Sequence, residues 1–556
     1  MRLIALAMVK NECDIIESFV RHNLRYLDAL FIIDNQSVDG TREILVELQR
    51  EGLPVVLYDD PRFGYFQSEK MTAFYRNVCD YAAPDYVIPL DADEFLAIPT
   101  RAALEEALAG LPTGEHGLIA WKTYLFSPNA SEPDPVRRMT RRRKAEKPAY
   151  YKVVIAADPQ ENHKLTIAQG NHTVTHSERG ELPHHILPGA AVAHYPVRGE
   201  AQVIAKAVTG WLAYVAKDPD SAAKDAGYQW HSLYLRLMEN PHLTVPELSD
   251  LSMRYAQLDP PPANAYTESV VYEPLAVAHT LRYRRHATPH PLVSVARTME
   301  RFFQPPLRVP FAEASAREAG GNPQQVYGAW GADFHQEHLF LDLPPFHYLA
   351  EKYQPRAVAD IGCGLGGYLR MFQEWGATQA LGVDGFPASE LFLSPGNYVS
   401  HDLSQPLDTG RSFDLVICTE VAEHIDERYE DVVVETIRRH ARELILFSAA
   451  EPNQPGIGHV NCQPLSHWLA KWRAVGWVPD VFDSLALRSL STFSWFRRNL
   501  VVLKPIGQTA SASPAFDERD LDRLAATPWT WYGQDPHIYT FPFSEPLPSV
   551  FVGGQA

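Results

Sequence analysis

The stretch VIPLDADEFLAIP, residues 87–99, runs as an apolar strand into three carboxylates, Asp91, Asp93 and Glu94, and then turns apolar again. Acids at a strand end are costly unless a metal ion, a basic side chain or water answers them. Hard divalent cations such as Mg2+ and Mn2+ prefer carboxylate oxygens and commonly share them with substrate phosphates. A D-x-D at the carboxyl end of a strand is therefore placed to hold such an ion against a diphosphate.

Upstream of that stretch, strand and helix signals alternate. LIALAMV, ALFIIDNQSVDGT and PVVLYDD read as strands. Between them, Ile15, Ile16, Phe19, Val20 and Leu24 recur with helical spacing, and TREILVELQREG reads as a helix stopped at Gly52. Such alternation predicts a parallel sheet with helices on its faces. Residues from about 200 to 300 show helical periodicity and few strand signals. Proline-rich breaks, LDPPPANAY and FFQPPLRVPF, then predict a linker near 300–325. A second alternation begins near Phe346.

The 556 residues exceed one ordinary core, and 46% hydrophobic with 21% charged residues is a globular composition. A net charge of −18 argues against a nucleic-acid partner. The basic run RRMTRRRKAEK, residues 137–147, reads either as a solvated loop or as a face for an anion such as a phosphate-bearing acceptor. Cys13, Cys79, Cys363, Cys418 and Cys462 form no C-x-x-C pair, which suits reduced thiols. MRLIALAMVKNE reads as a first strand and not as a signal peptide, and no stretch is long and apolar enough to span a bilayer. The expectation is a cytoplasmic chain without a transmembrane segment. Peripheral contact with a membrane and the oligomeric state stay open.

In the second alternation, DIGCGLGG, residues 360–367, follows an apolar strand and opens a helix. Glycines there permit a tight turn and close approach of backbone N–H groups to a ligand. Gly362, Gly364 and Gly367 also satisfy the G-x-G-x-x-G spacing of a dinucleotide site. Asp384 in LGVDG suits the hydroxyls of an adenosine ribose. HDLSQPL and FDLVICTEVAEHI, with Asp402, Glu420, Glu423 and His424, are not a usual nicotinamide pattern. This run of segments resembles the class I S-adenosylmethionine-dependent methyltransferases over roughly residues 325–505. The resemblance implies S-adenosyl-L-methionine as cofactor. Asp360, Gly362, Gly364 and Gly366 would hold its methionine end, and Asp384 its ribose. Asp402 and Leu403 would flank its adenine, with Glu420 at the fourth strand's end. For an alcohol acceptor, His424 and His459 are the candidate bases.

MVKNECDIIESFVRHNLRYLDALFIIDNQSVDGT and YRNVCDYAAPDYVIPLDADEF together resemble the family 2-type glycosyltransferases of the GT-A fold, in a KNE…DNxSxDGT…DxDEF branch. That resemblance implies a nucleotide-sugar donor and a glycan or lipid-linked saccharide acceptor, with Mn2+ or Mg2+. Asn11, Glu12 and Asp34 would cup base and ribose, and Arg76 would lie near the nucleotide or diphosphate. Asp91 and Asp93 would carry ribose and metal contacts, His194 would complete the metal shell, and Arg198 or Lys206 would touch phosphate. No E-D or D-D acceptor motif follows Asp93, so Glu94, His172 and His176 are the candidate proton acceptors.

The fold class expected is α/β, two Rossmann-like domains joined by a mainly helical middle region. Residues 1–215 would form the glycosyltransferase-like domain and 216–324 a helical extension and linker. Residues 325–505 would form the methyltransferase domain, and 506–556 a proline- and aromatic-rich tail. The leading expectation is a bifunctional glycosyltransferase–methyltransferase of polysaccharide or glycoconjugate biosynthesis, with O-methylation of a sugar hydroxyl. The alternative is a methyltransferase whose first domain is a non-catalytic glycan- or nucleotide-binding module.

Overall fold

A computed structural model describes residues 1–60, 64, 66–112, 115–129, 131–218, 220, 228–258, 260–283, 290–303, 341–385, 393–456, 458–508 and 515–523. The expected linker and most of the tail lie outside the described residues. The chain divides into two compact units near residue 304.

The first unit is built on eight strands: β1 (Leu3–Val9), β2 (Ala29–Asp34), β3 (Val55–Asp59), β4 (Tyr86–Pro89), β5 (Glu94–Leu96), β6 (His116–Thr123), β7 (Tyr151–Ala156) and β8 (His184–His194). Their order is β3-β2-β1-β4-β7-β6-β8-β5. The four strands from β3 to β4 are parallel, as the alternation of strand and helix requires. β7 then pairs antiparallel with both β4 and β6, and β5 antiparallel with β8. β1 is buried on both faces, which explains its unbroken apolar run. Leu3, Ala5, Ala7 and Val9, two residues apart and so on one face, pack with Ile16, Phe19, Val20, Ile44 and Leu48.

The helix expected to run through Leu24 ends sooner, at Ile16–Asn23. Asn23 and His22 turn inward there, donating to Glu94 O at 3.1 Å and meeting Leu96 O at 2.8 Å. Helices Glu200–Lys217, Tyr228–Glu239, Val245–Arg254 and Pro291–Phe303 belong to this same unit. Val197, Val203, Ala207, Leu237, Leu243 and Leu248 give the first three of these a small core of their own.

The basic run is a solvated loop only in part: Arg142 and Arg143 are tied inward, while Arg137, Arg141, Lys144 and Lys147 stay exposed. Arg141–Arg143 is a strand paired antiparallel with Val270–Tyr272. Arg142 Nε donates to Glu273 at 2.8 Å, while buried Arg143 donates to Glu146 and to the carbonyls of Ser252 and Tyr255. Apart from the local Glu146, the extension after residue 245 supplied these partners, which lie too far along the chain for local composition to reveal.

The second unit has seven strands: β9 (Ala357–Ile361), β10 (Gln379–Asp384), β11 (Tyr398–Ser400), β12 (Phe413–Thr419), β13 (Ala441–Ser448), β14 (Trp477–Asp480) and β15 (Val501–Pro505). The order is β11-β10-β9-β12-β13-β15-β14, with β15 antiparallel to both neighbours. Inserting a reversed last strand departs from the all-parallel order of a dinucleotide-binding sheet, so the G-x-G-x-x-G spacing does not make this unit one. None of the five cysteines is in a disulfide, and no described helix is long and apolar enough to cross a membrane.

Candidate functional sites

In the first unit the acids of residues 91–94 meet basic side chains. Lys152 Nζ, fully buried in β7, lies 2.6 Å from Asp91 and 3.1 Å from Glu94. One ammonium facing two carboxylates leaves one negative charge in excess. The deeper Glu94 resolves it by holding its proton: burial, against the pull of Lys152 and with Asp91 adding to the effect, pushes it up to about 8. Its Oε1 has no partner. Asp91 keeps a third of its side chain exposed.

Asp93 is answered from the other side. Lys206 Nζ stands 3.0 Å from its Oδ2, Arg198 Nη1 3.6 Å, and His194 Nε2 lies 3.8 Å from its Oδ1. Burial opposes the charge, but these neighbours hold Asp93 well below the usual carboxylate range. His194 is itself neutral near pH 7, because burial pushes it down to about 3. The two cations, Lys206 and Arg198, therefore carry the effect. A neutral imidazole keeps a lone pair, and its 3.8 Å span to Asp93 is what two ligands of one ion at about 2.1 Å each can bridge. His194 packs on Trp121 and Tyr255, with ring centroids 4.3 and 5.4 Å away. These residues fit a divalent cation, with Asp91 reaching it only on leaving Lys152.

Glu12 is drawn into the same cluster. It bonds Arg198, which is buried and also donates to Asp14 at 2.7 Å, while Lys206 lies 3.6 Å away. Arg198 is thus an internal hub and not an open phosphate contact. Asn11 and Asp34 stand together through Ser37: Asn11 N–H donates to Ser37 Oγ at 2.9 Å, and Ser37 N–H to Asp34 at 2.9 Å. The backbone of Asn11 is left-handed, at φ 57°. Its Nδ2 and the Asp34 Oδ1 are both buried without partners, an orphan donor and an orphan acceptor. Burial pushes Asp34 up to about 6.

Two expected residues fall apart from this group. Arg76 lies on helix Gln67–Ala82, nine residues and so about 13 Å beyond Gln67, the residue of that helix that meets Asp91. Its guanidinium donates to Leu165 O at 2.8 Å, which makes it a structural tie to the next segment. His176 bonds Glu161 at 2.6 Å, away from the acids. His172 is nearer, its ring 5.3 Å from Trp121 and its Nδ1 2.7 Å from Tyr151 O. Lys152, Trp121 and Tyr255 were not expected at the site. The single charge in the strand YKVVIA was the one available signal for Lys152.

In the second unit, Asp360 ends β9 and the glycines turn above it, with φ of 85°, 51° and 84° at Gly362, Gly364 and Gly366. A Cβ on Gly362 would fall 2.3 Å from Val421, and one on Gly366 2.5 Å from Leu393. Gly364 N–H donates to Asp384 at 2.8 Å and Gly385 N–H at 2.6 Å. Burial nevertheless pushes Asp384 up to about 6, and burial, with Asp384 adding to it, holds Asp360 well above the usual carboxylate range. The Asp384 carbonyl accepts from His401 N–H at 2.9 Å, which brings Asp402 and buried Leu403 to the same strand ends.

Glu420, at φ 54°, is satisfied by Ser448 at 2.8 Å, Gln454 at 2.7 Å and Asn499 at 3.0 Å. Those bonds make it a fixed wall of the site. His424 and His459 come together with ring centroids 5.0 Å apart. Between them lies buried Glu423, a residue not expected to act.

Residues 7–169 match a family model described as glycosyl transferase family 2, and residues 335–490 match one described as methyltransferase domain. A comparison with curated proteins finds no match. Among solved structures, the chain is similar to the plantazolicin methyltransferase BpumL in complex with an analogue and SAH. That likeness has 13% identity and TM-score 0.23, covering 29% of this chain and 81% of that one. It is also similar to the Burkholderia thailandensis 1,6-didemethyltoxoflavin-N1-methyltransferase, at 17% identity and TM-score 0.22, covering 29% and 76%. A third is the magnesium protoporphyrin IX methyltransferase ChlM from Synechocystis PCC 6803, at 18% identity and TM-score 0.21, covering 28% and 74%.

Proposed function

We propose that this chain, a glycosyltransferase family 2 domain followed by a methyltransferase domain, works on one class of saccharide with both. The first transfers a sugar from a nucleotide-sugar to a glycan or lipid-linked acceptor. The second methylates a sugar hydroxyl. The observation that carries this reading is Asp93, buried and ionised between His194 and Lys206 at a strand's carboxyl end.

Asn11 and Asp34, with their orphan donor and acceptor, suit the edge of a nucleotide base. Asp91 is exposed enough to accept from a ribose hydroxyl, and Lys206, 30% exposed, can turn to a donor phosphate. Asp93 and His194 are the residues that would hold Mn2+ or Mg2+, whose charge offsets that of the departing nucleoside diphosphate. In the second unit, Asp384 accepts from the cofactor's ribose, and Asp402 and Leu403 flank its adenine. Asp360 and the backbone of Gly362, Gly364 and Gly366 receive its methionine end. S-adenosylmethionine supplies the methyl group. Five cysteines outside any disulfide suit a reducing, cytoplasmic setting.

The test is the melting temperature of the intact chain against UDP, GDP, dTDP and CMP, with and without Mn2+, beside S-adenosylmethionine. A Mn2+-dependent rise with one nucleotide, lost in Asp93→Ala, and a separate rise with S-adenosylmethionine are expected. No response to any nucleotide sinks the transferase half. A second reading is favoured by Lys152 and Lys206, which already neutralise both motif acids: the first unit then binds nucleotide or glycan without turnover. It requires that no nucleotide-sugar be hydrolysed when the acceptor is omitted.

A further inference from the structure

Glu423 is fully buried, and neither carboxylate oxygen meets a hydrogen-bond donor. Among the described residues no lysine or arginine pairs with it, whereas Glu12, Asp91, Asp93 and Glu94 of the first unit all face one. Glu420, three residues earlier, is a second, half-buried carboxylate beside it. Two such groups are costly in one cavity unless a proton or a cation is shared between them.

Besides Glu420 and the thiols of Cys418 and Cys462, two imidazoles face Glu423, and Cys462 Sγ lies 3.6 Å from His459 Nδ1. One ligand atom from each of Glu423, His424 and His459 lies within 4.8 Å of the others. That spacing needs only a small closure, since two ligands of one ion at about 2.1 Å each sit up to about 4.2 Å apart. A hydrogen-bonded acid–base pair is a poorer account, because neither imidazole bonds a Glu423 oxygen. His424 Nδ1 lies 3.1 Å from Gly458 O, so Nδ1 carries the proton and Nε2 keeps its lone pair. The loop that brings His459 is itself pinned, with Val460 and Asn461 N–H donating to Glu423 O at 2.8 and 3.0 Å. The cluster also adjoins the cofactor loop, since Val421 fills the space a Cβ on Gly362 would need.

We propose that Glu423, His424 and His459 form a divalent-cation site that takes neighbouring hydroxyls of the methyl acceptor. Two imidazoles and a carboxylate suit a first-row ion such as Mn2+, Fe2+ or Zn2+ better than Mg2+ or Ca2+. Three protein ligands leave positions open for the two oxygens of a sugar diol. The bound cation lowers the hydroxyl's pKa, so its proton passes to solvent as the O–C bond forms and the C–S bond breaks, leaving S-adenosylhomocysteine. His424 and His459 then act as ligands and not as bases. This use of the cation rests on the methyltransferase reading; the site itself does not.

The deciding experiment titrates Mn2+ into the intact chain, without nucleotide, by electron paramagnetic resonance, and compares it with Glu423→Gln and His459→Ala. Binding of S-adenosylhomocysteine by calorimetry serves as the check on folding. Both variants are expected to lose one Mn2+ equivalent, or to bind it at least tenfold more weakly, with unchanged affinity for S-adenosylhomocysteine. Identical Mn2+ titrations for all three proteins overturn the site. Should Glu423→Gln fail to fold, His459→Ala, in a half-exposed loop, decides alone. If Mn2+ is lost as expected but S-adenosylhomocysteine never binds, the cation site stands and the methyltransferase reading falls.

Discussion

Lys206 Nζ lies 3.0 Å from Asp93 Oδ2, across 113 residues of sequence. Helix Glu200–Lys217 thereby supplies counter-charge to an acid at the edge of the central sheet. Because Lys206 is 30% exposed, its ammonium can serve both Asp93 and a phosphate. Lys206→Met should raise the KM for the nucleotide-sugar at least tenfold, and Lys206→Arg should restore part of it. Steady-state kinetics decide: an unchanged KM in Lys206→Met would make the residue purely structural.

Arg198 is nearly inaccessible and touches Glu12, Asp14 and Asp93. Its removal strands buried carboxylates, which costs about 3–5 kcal/mol where such pairs have been broken. Arg198→Ala should therefore lower the urea midpoint of the first unit's transition and leave the second unit's transition in place. A loss under about 1 kcal/mol would mean that Lys206 alone suffices to balance the cluster.

Asp384 gives the second unit two opposite pH trends. Its carboxyl is raised from 3.8 to about 6 by burial, so its contribution to stability is fully present below about pH 4 and lost as pH rises through 6. Cofactor binding needs the ionised form to accept ribose hydroxyls, so affinity should fall about tenfold per pH unit below 6. Calorimetry with S-adenosylhomocysteine at pH 5, 6 and 7.5 measures the trend. Asp384→Asn should flatten it, and a pH-independent affinity in the parent protein would remove Asp384 from the ribose site.

Gly362 permits no side chain, for two independent reasons. Its φ is 85°, and a Cβ would stand 2.3 Å from Val421. Gly362→Ala should weaken S-adenosylhomocysteine binding more than tenfold while nucleotide-dependent stabilisation of the first unit persists. Equal affinity for parent and variant would show that the loop backbone does not approach the cofactor.

Local features of the sites were legible in the sequence. Asp91, Asp93 and the glycines of residues 362–366 lie in short runs whose turn chemistry and strand ends are encoded nearby. What answers those acids was not. Lys152 reaches Asp91 from 61 residues away and Arg198 reaches Glu12 from 186. Such pairings depend on strand order, which hydrophobic periodicity does not fix. Glu423 was named in its motif but given no role, for a different reason. Its residue type and its neighbour His424 were visible, but its lack of any partner is a property of the folded surroundings. The basic run misled because guanidinium stems that donate to buried carbonyls, as Arg143 does, have the same composition as a solvated patch.

The Arg198 hub also orders events during synthesis. β1 and the segment bearing Glu12 and Asp14 leave the ribosome well ahead of residue 198, yet their buried carboxylates gain their guanidinium only when that residue has emerged. Until then the nascent sheet carries uncompensated charge at its edge and cannot close around it. A stalled chain released just short of residue 198 should be digested by protease along its whole length. One released after helix Glu200–Lys217 has cleared the exit tunnel should survive as a protected fragment.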